Sequence, residues 1–435
     1  MKNLARQVAC GAALAVSLAS AEAAASPNIL LVIADDMGVD ASPCHARAPK
    51  AASMPTLEAL CRTGMVFDAV HVAPTCSPTR AMMLTGRYPS ETGVGGAVSP
   101  RNPAGLDPAT PSVFDILSRD APGYAAALIG KWHLTPDRRD TDHPADLGVP
   151  MHFGPLTGAL DSFMEWEAVD AGRSVPVSGY ATTVLTDRAI DWIAGQTGPW
   201  FLWLAHVAPH TPFHAPPAAL VNTGLSDDPG AIQRDPAPYY RAALEALDAE
   251  LGRLLDSLGA AQRANTVVLF IGDNGTPARV AGPDSRTRGA KGSILPGGTH
   301  VPLVVAGPGI AQGRSGQPVA ATDLFATILD LAGAGGARPA SSFSLLPVLT
   351  GRGPSGRDAA YVEHFGDSPI RGRGSYGWSM VTADHALVAR DGQAPELYDL
   401  RADPDLRRDL LGSGTGGAQA TASALMALRV DYLGR

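Results

Sequence analysis

The chain has 435 residues, and 34 Lys plus Arg against 42 Asp plus Glu give a formal charge of −8, which excludes a nucleic-acid binder driven by bulk positive charge. With 45% apolar and 17% charged residues it is too hydrophobic to stay disordered, and its length suits one large domain with a smaller appendage.

Residues 1–25 read as a secretory leader: Lys2 and Arg6 start it, Val8 to Leu18 form its apolar stretch, and Ala21 to Ala25 its small-residue exit. That stretch falls short of the roughly 20 residues needed to span a bilayer, and no later segment reaches that length. A secreted or periplasmic protein without a stable membrane span is therefore expected. Cleavage near Ser26 leaves Cys44, Cys61 and Cys76, an odd count in an oxidising compartment.

Four short apolar runs then end abruptly in polar groups. Ile29 to Ala34 precedes Asp35-Asp36, and Ala125 to Ile129 precedes Lys131-Trp132-His133; Phe201 to Ala205 precedes His206 and His210, and Val267 to Ile271 precedes Asp273-Asn274. Continuous runs of this length suit strands buried on both faces of a parallel sheet. Helical stretches alternate with them: Pro55 to Thr63 closed by Gly64, Thr110 to Arg119, Thr183 to Ile193, Tyr239 to Leu258, and Thr322 to Leu331 closed by Gly333. The reading is α/β: a doubly wound mixed, mostly parallel sheet flanked by helices over residues 26–345. Residues 346–435 change texture, with short β-like runs at Ala360 to Phe365, Trp378 to Thr382, Ala386 to Ala389 and Glu396 to Leu400, then a helix from Ala418 to Leu433. They read as a smaller C-terminal antiparallel sheet plus helix.

Ligands of doubly wound sheets sit outside the carboxyl ends of the strands, so these polar groups are expected to converge. Asp35, Asp36, Asp273 and Asn274 supply hard oxygen ligands suited to calcium or magnesium, although each pair alone also reads as a helix cap or a turn. Cys76-Ser77-Pro78-Thr79-Arg80 reads as a loop entering a short helix over Ala81 to Thr85. It is either an ordinary turn or a cysteine activated near a helix N-terminus. The basic residues are 30 Arg and 4 Lys, which makes Lys131 and Lys291 candidates for work arginine does not do, while Lys50 reads as surface. His133 draws its interest from Lys131 two residues before it. His210 has rivals in His206 and His214, and the pairs Arg286 with Arg288 and Arg371 with Arg373 read as solvated surface.

The run from Cys76 to Arg80, continued to Pro89, resembles the signature of the type I sulfatases of the alkaline phosphatase superfamily. Asn28 to Gly38, Gly130-Lys131-Trp132-His133, Pro209-His210-Thr211-Pro212, Asp273-Asn274-Gly275, Gly289-Ala290-Lys291-Gly292 and Glu396 through Pro404 are similar to further segments of that family, in the same order. Two positions depart from it: Thr79 stands where Ser or Ala is commoner, and His300 where Arg is usual. The resemblance implies that a maturation enzyme oxidises Cys76 to formylglycine, whose hydrate is the nucleophile. It implies calcium held by Asp35, Asp36, Asp273, Asn274 and an oxygen of modified residue 76. Arg80 and Lys131 would offset charge on the sulfate oxygens, and His210 and Lys291 would serve the departing alcohol. His133 would take a proton from the second hydroxyl, collapsing a covalent sulfate hemiacetal to aldehyde and free sulfate. Once Cys76 is set aside for modification, Cys44 and Cys61 are left to pair or to lie buried as thiols.

The expected activity is hydrolysis of a sulfate ester, carried by a small aryl compound or a sulfated sugar. The alternatives are a phosphonate or phosphate mono- or diester hydrolase on the same scaffold, and a non-catalytic protein binding a sulfated glycan.

Overall fold

The computed structural model describes residues 26–45, 51–221, 224–281, 288–366 and 376–434. The proposed leader, Lys50, Arg286, Arg371 and Arg373 lie outside the described residues.

Ten strands form the principal sheet: β1 (Asn28–Ala34), β2 (Met65–His71), β3 (Ala125–Gly130), β4 (His152–Gly154), β5 (Glu165–Asp170), β6 (Arg173–Ser178), β7 (Trp200–Ala205), β8 (Thr266–Gly272), β9 (Leu303–Ala306) and β10 (Gly313–Ala320). Their order is β10-β2-β9-β8-β1-β7-β3-β4-β5-β6. Only β9 and β5 run against the rest, so the sheet is mixed and mostly parallel, as expected. The four expected strands are its centre, β8-β1-β7-β3. Successive side chains of a strand point to opposite faces, and in β1 both faces are covered: Ile29, Leu31 and Ile33 join one apolar cluster, Leu30, Val32 and Ala34 the other. This double burial is why the run is uniformly apolar rather than alternating.

The principal helices are α1 (Pro55–Thr63), α2 (Cys76–Thr85), α3 (Val113–Asp120), α4 (Ala181–Ala194), α5 (Ala237–Ser257), α6 (Asp323–Leu331) and α7 (Ala418–Leu433). Two differ from expectation in an instructive way. Helix α3 begins at Val113 rather than Thr110, because the Ser112 hydroxyl accepts from the Phe114 and Asp115 amides and Asp115 reaches back to the Ser112 amide. Helix α2 begins at Cys76 itself; Pro78 fits there because the first-turn amides have no intrahelical partner to lose.

Strands β11 (Ala360–His364), β12 (Gly377–Val381), β13 (His385–Arg390) and β14 (Glu396–Asp399) make the smaller antiparallel sheet. Its Tyr361, Met380, Leu387 and Leu397 belong to the same apolar cluster as one face of β1. A buried ion pair reinforces the junction: Arg357 donates to both Asp323 oxygens, Nε at 2.6 Å and Nη2 at 2.5 Å, and to the Tyr88 hydroxyl at 3.0 Å. Cys44 and Cys61 form a disulfide with Cα atoms 6.2 Å apart, tying the loop after β1 to α1.

Candidate active site

The carboxyl ends of β1, β2, β3, β7 and β8 open on one edge of the sheet, where Asp35, Asp36, Cys76, Arg80, Lys131, Asp273 and Asn274 are almost wholly withdrawn from solvent, His133 is buried, and Lys291 and His210 are partly buried. β1 delivers Asp35 and Asp36. β8 delivers Asp273 and Asn274; a side chain at Gly272 would come within 2.0 Å of the Met37 carbonyl, so glycine is what lets the two turns approach. Asp36 adopts φ 74°, an uncommon left-handed conformation for a residue with a side chain. Three bonds hold it there: its amide donates to Asp273 Oδ1 at 3.0 Å, Asn274 Nδ2 donates to its Oδ1 at 2.7 Å, and the Tyr240 hydroxyl donates to its carbonyl at 2.7 Å.

Cys76 is the first residue of α2, with its thiol 3.5 Å from Asp35 Oδ1. A helix N-terminus presents unpaired amides and partial positive charge, a natural seat for an anion. The thiol itself is a poor nucleophile, since burial and then Asp35 push its pKa up to about 12.

Three cations face three carboxylates. Lys131 is paired with Asp35, and Lys291 Nζ lies 2.5 Å from Asp36 Oδ1. Arg80 donates through Nε and Nη2 to Asp273 Oδ2 at 3.0 and 2.8 Å and through Nη1 to the Lys131 carbonyl at 2.7 Å. Burial opposes ionisation of Asp35 and Asp36, yet Lys131 and Lys291 outweigh it, and both carboxyls sit below their ordinary pKa. The Arg80 guanidinium is thereby anchored among the carboxylates, with Nη2 also 3.7 Å from Asp35 Oδ2.

His133 and His210 differ in setting. His133 Nε2 lies 2.9 Å from the Val98 carbonyl and its Nδ1 is buried without a partner. Burial, reinforced by Lys131, lowers its pKa well below the usual value, so the ring is neutral. His210 Nδ1 donates to the Thr211 carbonyl at 2.9 Å, and its Nε2 stands 3.8 Å from Asp36 Oδ2. Burial and Lys291 lower its pKa as well. The rivals resolve: His206 is buried behind the strand end, whereas His214 lies between Phe163, 4.0 Å away ring to ring, and the Tyr180 hydroxyl. Arg288 departs from its surface reading by donating to the Leu406 carbonyl at 3.2 Å and to the Tyr398 hydroxyl. His300 donates to the Asp68 carbonyl at 2.9 Å and stacks on His71.

Two carboxylates, a thiol and an imidazole converge here, with Asp273 Oδ1 beside them on the Asp36 amide. Ligand atoms of Asp35, Asp36, Cys76 and His210 lie within 4.8 Å of one another, and Asn274 Oδ1 is buried with no hydrogen-bond partner. A buried amide oxygen left unpaired costs on the order of 1–3 kcal/mol, and a metal ion is one group that would satisfy it. Three carboxylates plus that oxygen suit calcium better than zinc. The sequence missed three groups that hold this cluster in place: the Tyr240 hydroxyl on Asp36, the Thr276 hydroxyl between the Gly38 amide and Asp40, and the Val98 carbonyl on His133. No local motif marks them, because each acts from a distant element or through its backbone.

The sulfatase family model matches residues 27–334. The chain is similar to arylsulfatase A of Homo sapiens, 29% identical over 96% of this chain and 88% of that protein. It is also similar to N-acetylgalactosamine-6-sulfatase of Canis lupus familiaris, 32% identical over 78% of this chain and 68% of that one. Among solved structures, CgsB in complex with a neocarrahexaose shares the fold with a TM-score of 0.78, 23% identity, and coverage of 94% and 92%. A sulfatase from Pseudoalteromonas sp. does so with a TM-score of 0.73, 20% identity, and coverage of 94% and 90%. No described helix is long and apolar enough to cross a membrane. The edge where acidic turns, a helix-borne cysteine and two scarce lysines meet lies within the matched region, and the chain belongs to the sulfatase family of sulfuric ester hydrolases.

Proposed function

We propose that this protein, matured outside the cytoplasm, hydrolyses a sulfate ester with formylglycine derived from Cys76 and a calcium ion. The catalytic unit is residues 26–345, with 346–435 packed on it. The observation that carries this reading is the placement of Cys76 at the first turn of α2, against Asp35 and between Lys131 and Lys291. A thiol so buried has little nucleophilic use as it stands, which makes oxidation by a maturation enzyme the economical explanation of a cysteine there.

Asp35, Asp36, Asp273 and Asn274 would hold the ion, with residue 76 beside them. Calcium supplies Lewis acidity and the net positive charge that an anionic ester needs, since the side-chain charges of the cluster cancel pairwise. Residue 76, if converted to a hydrated aldehyde, would offer one hydroxyl as nucleophile toward sulfur as the S–O bond to the alcohol breaks, and a second hydroxyl through which the site could be restored. Arg80, anchored on Asp273, and Lys131 set positive charge beside residue 76 to offset that of the sulfate oxygens. His210 and Lys291, both next to Asp36, serve the ester oxygen. Nδ1 of neutral His133 receives the proton of the second hydroxyl. The relatives act on aryl and amino-sugar sulfates by name, so the substrate is a small aryl sulfate or a sulfated sugar.

Peptide mass spectrometry of active protein should find the aldehyde or its hydrate at residue 76, and an aryl sulfate should be cleaved faster than the matched aryl phosphate. Full activity with an unmodified thiol would overturn the assignment of the nucleophile.

A further inference from the structure

The Nε2 contact of His133 fixes more than position. A carbonyl oxygen only accepts, so Nε2 must carry the ring hydrogen and donate to Val98, which leaves the lone pair on Nδ1, the buried atom without a partner. The other tautomer would set two lone pairs against each other across 2.9 Å. The ring has little room to escape this choice: its backbone amide is tied to the Leu156 carbonyl at 3.0 Å, and a Cβ at Gly158 would lie 2.4 Å from His133 Cε1. His133 also adopts φ 61°, a second left-handed residue with a side chain at this edge.

Val98 is itself gripped from behind. Its amide donates to the Ser77 hydroxyl at 2.9 Å, so the backbone of a single residue, through two successive peptide groups, links the residue after Cys76 to His133. The turn that carries it is closed by Asn102. Ser99 and Asn102 exchange backbone hydrogen bonds at 3.0 and 2.9 Å, and Asn102 Nδ2 donates to the Ala97 carbonyl at 3.0 Å. Asn102 is buried although its position between Arg101 and Pro103 gives no hint of it.

We infer that Asn102 and Ser77 are positioning residues which, by holding the two peptide groups on either side of the Val98 Cα, keep His133 in the tautomer with a free Nδ1. The inference rests on the reading above in which that atom accepts a proton. The bracket needs neither the ion nor the modified residue, so it can be judged on protein whose Cys76 is unconverted.

Nitrogen-15 NMR of labelled histidines in that protein should show His133 as the Nε2–H tautomer with slow exchange of the ring hydrogen. Asn102→Ala and Ser77→Ala should each populate the other tautomer or speed the exchange. Asn102→Asp, which keeps the size but turns the side-chain donor into an ionisable acceptor oxygen facing the Ala97 carbonyl, replaces the alanine variant if that one does not fold. In matured protein, with conversion of residue 76 counted by mass spectrometry, each variant should lower kcat about 10-fold, by the same factor for 4-nitrophenyl sulfate and for a poor leaving group. An Nδ1–H tautomer in the parent protein, an unaltered tautomer in the variants, or an altered tautomer with unchanged kcat would each overturn the inference. Activity without an aldehyde at residue 76 would instead sink the reading of the nucleophile, leaving the NMR result to judge the bracket.

Discussion

Two buried ionic clusters in this molecule make a controlled comparison. At the junction of the two sheets, Arg357 and Asp323 are saturated: Asp323 also accepts from the Ala320 and Phe343 amides at 2.9 Å each, and Arg357 also donates to the Ser341 carbonyl at 2.8 Å. At the carboxyl edge of the large sheet, three carboxylates and three cations leave Asn274 Oδ1, His133 Nδ1 and the Thr75 hydroxyl unsatisfied. The first arrangement is finished by folding. The second keeps paired charges beside unpaired polar atoms, an arrangement that costs stability unless a ligand uses them. Balance of charge is common to both clusters; what differs between these two is the unsatisfied polar atoms that stand beside the ion pairs of the second.

The sharpest contrast comes from removing the nucleophile. Cys76→Ala should abolish turnover, by at least about 10³-fold, with little change in melting temperature, read by aryl sulfate hydrolysis and calorimetry. Asp273→Ala should lose activity and calcium affinity together and strand Arg80 without its partner, costing about 3–5 kcal/mol; calorimetric calcium titration and urea unfolding check both. Arg357→Met should show the reverse profile. It should lose a similar 3–5 kcal/mol of stability while the folded fraction keeps its kcat, and pairing it with Asp323→Leu should recover much of that loss. A large kcat defect in Arg357→Met at low temperature would break the comparison.

How far the sequence reaches follows the same division. The central strands and the motifs at their ends were legible because each apolar run stops at a charged turn, and the helix Ala418–Leu433 was read to the residue. Strand β2 was not: Asp68 interrupts Met65–His71, and its side chain escapes to an exposed pair with Arg314. The hairpin β5–β6 lies at the edge, where alternate residues face solvent and the apolar signal halves. The identities of Asp35, Asp36, Lys131 and Lys291 were legible from motif and rarity. The partner of Arg80 was not, because spacing cannot tell that its guanidinium meets the carboxylate of Asp273, 193 residues away. Still less could it reveal that Val98 matters through its peptide group.

Smaller effects refine the active cluster. His210→Ala should slow esters with poor leaving groups by about 10²-fold and activated aryl esters far less, whereas His133→Ala should slow all substrates by one factor; a leaving-group series measures both. Acid titration separates the clusters further. Asp35 and Asp36 have folded pKa values below their unfolded ones, so their stabilisation is fully present above about pH 4 and is lost as pH falls through the folded values. Melting temperature should therefore be flat in this contribution between about pH 5 and 8 and should drop below about pH 4, with the drop reduced in Asp36→Asn.

The scarcity of lysine has a preparative consequence. Among the described residues the chain's ammonium groups are those of Lys131 and Lys291, 1% exposed and nearly buried respectively, each held by an aspartate. Amine-directed labels, crosslinkers and lysine-specific proteases therefore meet almost no handle on the folded surface described here. Cleavage after Lys131 or Lys291 requires the sheet edge itself to come apart, so the first lysine-specific cut at either position clocks the opening of the site, independently of any substrate.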